Sequence, residues 1–273
     1  MRYTIEQAGI SELLVAMLNQ STEKYTAEQL SDKLNLLGSS IIIKQSDPPV
    51  GNSDGRDKSN SQEIVVTIST LTKNLDATLA IATEIIFHPK FDQQEFERVK
   101  KQQLEKIENL ASQAKPIVNS TFFKLLYGKD HIMGVSILGK KGSVEKLTLD
   151  DLKDYYKKRF SQNYASFVVV GDITKEAMLS KLITFKEWNN SALHLTEPTL
   201  PVIEKTKIYF VNKPNAPQSE IRVGYVAIPF DATGNYFKTS IMNKPRGQFN
   251  MPYQYEFKRK AWLYVLFTWL FFR

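Results

Sequence analysis

The chain has 273 residues, 42% hydrophobic and 24% charged, so it reads as soluble and globular, with enough apolar length for one large or two smaller domains. It contains no cysteine, which excludes a disulfide framework, a thiolate metal cluster and a cysteine nucleophile. The net charge of +7 does not indicate nucleic acid, because six basic residues and one acid lie from Lys244 onward, and earlier Lys and Arg are interleaved with Glu and Asp.

The N-terminal stretch MRYTIEQAG has no apolar run of signal-peptide length, so no export signal is expected in the chain as given. The compartment stays open, and an exported parent protein is compatible with this reading. From Ala8 to Thr22, Ile10, Leu13, Leu14, Met17 and Leu18 recur at the three- and four-residue spacing of a buried helical face. A second amphipathic helix is expected over Thr26 to Gly38 on Leu30, Leu34 and Leu37. Thr26 and Gln29 have capping-box form, and Gly38 stands where a left-handed C-terminal cap is wanted. Ile41 to Lys44 and Glu63 to Ser69 read as strands, joined by the polar connector Asp47 to Ser61.

Further helices follow. Leu75, Leu79, Ala82 and Ile86 stripe one that stops near Pro89; Phe96, Val99, Leu104, Ile107 and Ala111 stripe the next, with Glu97 four residues before Lys101. Thr148 caps another, with Asp151 at its fourth place. Adjacent Asp150 and Asp151 point about 100° apart, which favours capping over a catalytic dyad. Phe167 to Val170 suits a strand covered on one face by helices, and Gly171-Asp172 a strand-ending turn. Periodicity is lost over Trp188 to Leu200, and strands are expected again at Lys207 to Val211 and Glu220 to Ile228, then a helix start at Asn235 to Asn243. The class is α+β. The expected domains are an αβ unit over 1–188, a linker over 189–200, the opening of a second αβ unit over 201–250, and an aberrant tail over 251–273.

The ordered set of FHPKFDQQEFERVK (Phe87 to Lys100), LLYG (Leu125 to Gly128), LTLDDLKDYYKKRF (Leu147 to Phe160), FVVVGDIT (Phe167 to Thr174) and APQSEIRVGY (Ala216 to Tyr225) resembles the pitrilysin/insulinase family of zinc metallopeptidases. The resemblance runs from about residue 5 to residue 250. It implies an antiparallel sheet covered by helices, the first unit lacking its first strands, followed by the start of a similar unit. The family's zinc motif HxxEH, flanked upstream by Gly, falls on the first helix, where the five positions read Glu12, Leu13, Leu14, Val15 and Ala16. A carboxylate and a methyl replace the two imidazoles, and the hydrocarbon of Val15 cannot activate water. The family's third ligand aligns near Lys106, a cation where a cation must bind. No catalytic, metal or cofactor residue is therefore expected here. The implied role is the zinc-free half of a two-half particle, with zinc held by a partner half of the same or a separate polypeptide and a peptide as substrate.

Other sites find little support. His88, His131 and His194 share no ligand spacing, and His88 reads as a helix-end residue. Gly171-Asp172 has no phosphate loop after it, and no nucleophile elbow is present. Two other readings stay open: an active zinc peptidase with an unorthodox site, and a gene remnant without a role.

Ten of the 31 aromatic residues lie from Phe249 onward, and Ala261 to Phe272 is uncharged without helical or strand periodicity. That run is too short for the roughly 20 residues of a membrane span and lacks the polar face of an interfacial helix. Arg246, Tyr253 and Tyr255 lie in this aberrant region and are not matched to the family's substrate-holding Arg and Tyr. Advancing PYQYEFKRKAWLYV (Pro252 to Val265) by one nucleotide permits RINMNLREKHGYTY, the kind of continuation the resemblance implies. Sequencing the locus in all forward frames should therefore reveal a GYTY-type motif in the neighbouring frame after Asn250, and clean frames without one would remove the frameshift reading.

Overall fold

The computed structural model describes residues 7–45, 64–129, 131, 134–161, 165–187, 205–212, 214, 219–224 and 263–267. The connector 47–61, the linker 189–200, the expected helix start at Asn235 to Asn243, and His194, Arg246, Tyr253 and Tyr255 lie outside these residues. The chain divides into two compact units, one of Met1–Ser46, Glu63–Glu105 and Ile137–Thr196, the other of Asp47–Gln62, Lys106–Ser136 and Glu197–Arg273.

The first unit opens with α1 (Ile10–Leu18) and α2 (Ala27–Leu36). Both ends of α2 follow the sequence. Thr26 accepts from the Gln29 backbone N–H and the Gln29 side chain accepts from Thr26, a complete capping box. At the other end Gly38 adopts φ 57°, with Ser39 N–H bonded to Leu34 O and Gly38 N–H to Asn35 O, so a Schellman motif closes the helix.

The chain then forms β1 (Ser40–Gln45) and β2 (Ile64–Ser69), antiparallel with Ile43 opposite Val66. Pleating places Ile41, Ile43, Gln45, Ile64, Val66 and Ile68 on one face, and α1 packs against β1. The other face carries Ser40, Lys44, Thr67 and Ser69 together with Ile42 and Val65, and Ile42 is among its exposed residues. Buried hydroxyls tie this hairpin to the next helix, α3 (Leu75–Phe87). Ser39 Oγ, Thr70 Oγ1 and Thr78 Oγ1 lie 2.8 to 3.0 Å from one another, and Thr78 also donates to Asn74 O. Each buried hydroxyl thus keeps partners in place of water.

α4 (Gln93–Ala111) buries Phe96, Val99 and Gln103. Its expected Glu97–Lys101 spacing is used differently, since Glu97 accepts from Gln93 and Arg98 pairs with Glu95 at 2.6 Å. After the short α6 (Lys141–Val144), α7 (Leu149–Arg159) packs on α1 and buries Leu152 completely. Tyr156 donates to Ile86 O at 2.6 Å, and burial pushes its phenol up to about 12. α8 (Lys175–Lys181) starts on Thr174, whose hydroxyl accepts from Ala177 N–H.

In the second unit α5 (Ala114–Tyr127) packs against β3 (Ser219–Val223). Phe123 and Tyr127 stack at 6.4 Å between ring centroids, and Tyr127 stacks on His131 at 5.1 Å.

Two sequence expectations need correction. Phe167 to Val170 forms no strand among the described residues, and Val168 and Val170 lie open to solvent. Lys207 to Val211 likewise forms no strand among them. β-propensity alone does not make a strand, because a neighbouring strand must supply the ladder. Leu263–Phe267, in the tail run without helical or strand periodicity, forms β4, parallel to β3 with Ile221 opposite Val265. A continuous apolar run has no period of its own and takes strand form where an edge is offered. The α+β class stands.

Thr148 and Asp151 form the capping box that the sequence implies, and hydrogen bonds from Thr148 hold the Asp151 carboxyl below the ordinary carboxylate range. A lowered folded pKa means stability present above the ordinary range and lost as pH falls through the folded value. Thr148→Ala should cost about 1 kcal/mol at neutral pH and flatten that acid dependence, as read by urea unfolding at several pH values.

Candidate functional site

The helix carrying the motif positions is held at its entry by backbone contact. Gly9 adopts φ 102°, and a Cβ there would lie 2.7 Å from Val144 Cγ2 and 2.8 Å from Leu138 O. Only glycine fits, for both conformation and space. Gly139, with φ 78°, meets Ala8 O just as closely, so two glycine backbones bring the start of α1 against the segment before α6.

The carbonyls enclosed by this contact are satisfied from the side. Gln103 Nε2, buried on α4, donates to Gly9 O at 3.0 Å and to Leu138 O at 2.8 Å. Ser143 Oγ donates to Ala8 O at 3.0 Å. Gln103 interrupts an otherwise apolar stripe, and that interruption was the signal in the sequence that could have marked it.

Beyond the entry, Ile10, Leu13, Leu14, Met17 and Leu18 are essentially inaccessible. Ser11 Oγ donates to Gln45 Oε1 at 3.0 Å, and Asn19 Nδ2 bridges Val15 O and Ile43 O. Gln20 Nε2 caps Ala16 O. Side chains just past the helix's last turn therefore occupy the carbonyls of the motif residues.

Of the motif positions, Val15 is buried in the core, while Glu12 and Ala16 are half-buried. Lys106 is exposed on α4 and falls in the other unit. Val15 and Ala16 have no lone pairs, so Glu12 is the one donor these three positions offer, and zinc requires three or four. The donor set does not fit that metal. Among the described residues no group of three or more His, Cys, Asp and Glu is placed to hold a metal ion.

Other sequence-flagged residues take structural places. His88 caps the C-terminus of α3, its N–H bonded to Glu84 O, with Nδ1 3.9 Å from Glu23 Oε2. Nearby Glu84, almost fully buried, pairs with Lys24 at 2.9 Å, and that contact raises the Lys24 pKa. A groove of roughly 210 Å³ is lined by Gln93, Glu97, Lys100 and the turn before α7. Of the two lysines that line it, Lys100 and Lys146, the first is engaged already, with Lys100 Nζ donating to Glu145 O and Leu147 O. No helix of the described residues is long and apolar enough to cross a membrane.

Comparison with known proteins covers both parts of the chain. Residues 3–134 match the family described as Insulinase (Peptidase family M16), and residues 146–270 match that described as Peptidase M16 inactive domain. A curated relative, the non-peptidase homolog YmxG of Helicobacter pylori, is 24% identical over 176 residues, covering 64% of this chain and 37% of that protein. Among solved structures, a peptidase M16 inactive domain from Pseudomonas fluorescens superposes with TM-score 0.61 at 16% identity, over 81% of this chain and 48% of that one. A protease from Helicobacter pylori gives TM-score 0.57 at 18% identity, over 74% and 45%. The chain thus spans about half or less of the relatives it matches.

The contact at Gly9 has a direct test. Gly9→Ala should destabilise the chain by about 2 kcal/mol through backbone strain and collision. Gly142→Ala, in helical α6 where a Cβ meets open space, should be neutral or stabilising by up to about 1 kcal/mol. Chemical denaturation of both variants checks the difference.

Proposed function

Because the chain belongs to the insulinase family, peptidase family M16, we propose that it serves as a zinc-free half of an insulinase-like peptidase. In this reading it contributes chamber wall and peptide-binding surface, while a zinc-bearing half, in the same or another polypeptide, supplies the hydrolytic chemistry. The observation carrying the reading is α1: its packing is kept in full, yet two of its three motif positions are hydrocarbon. The names of its relatives point the same way, one called a non-peptidase homolog and one an inactive domain. A gene remnant is the second reading, supported by the apolar side chains left open at Val168, Val170, Ile208 and Phe210.

Zinc added to the purified chain in equilibrium dialysis should show no stoichiometric binding, and the chain alone should leave peptides intact. One zinc per chain, lost in Glu12→Ala together with peptide hydrolysis, would overturn the proposal in favour of an unorthodox active site. Cooperative thermal unfolding followed by circular dichroism separates the partner half from the remnant, since a remnant has no folded state to lose.

A further inference from the structure

We draw no further inference here: the strongest candidate, the side-chain cluster where the turn between α1 and α2 meets the C-terminal end of α3, with Glu84 almost fully buried, its Oε2 held by Lys24 and its Oε1 without a hydrogen-bond partner, belongs to the ion pair already described, and nothing in the structure shows what would meet that oxygen.

Discussion

Carbonyls buried where α1 begins impose the constraint on which the first unit depends. Ala8, Gly9 and Leu138 present their oxygens at a crossing too tight for any side chain at position 9 or 139. A buried carbonyl without a donor is costly, so the crossing stands only because Gln103 and Ser143 reach it. Residues more than ninety positions apart are thereby fixed together, and the apolar face of α1 is delivered against β1 and α7. The hairpin, the hydroxyl cluster at Ser39, Thr70 and Thr78, and the capped α7 follow from that placement.

The same constraint explains how packing and chemistry part company on α1. The residues that hold the helix are Gly9, Leu13, Leu14, Met17 and Leu18, and these face backbone and core. Metal binding and water activation would depend on positions 12, 16 and 15, whose side chains lie outside the contacts that fix the entry. Val15, buried in the core, is a hydrocarbon and needs no hydrogen-bond partner there. A family helix can in this way keep its geometry after its ligands are gone.

Sheet formation follows a different logic. β1 and β2 find each other across a connector, and one alternating face meets the helices. Phe167 to Val170 and Ile208 to Val211 are comparably apolar, yet neither forms a strand among the described residues. β3 pairs instead with β4, drawn from a tail whose sequence has no strand period. Two-stranded ribbons are marginal alone, which places the stability of each unit mainly in its helices and their contacts.

Helix ends, helix faces and the first hairpin were legible in the sequence, because caps such as Thr26–Gln29 and Thr148–Asp151 and stripes such as Leu13, Leu14 and Met17 act within a few residues of themselves. The missing donors at Val15 and Ala16 were legible too, since a hydrocarbon has no lone pair in any fold. The role of Gln103, the reason for glycine at position 9 and the pairing of β3 with β4 were not, and neither was the open outer face of Val168 and Val170. Each depends on which distant segment arrives alongside, and no local period or propensity encodes that arrival; only the tertiary structure decides it.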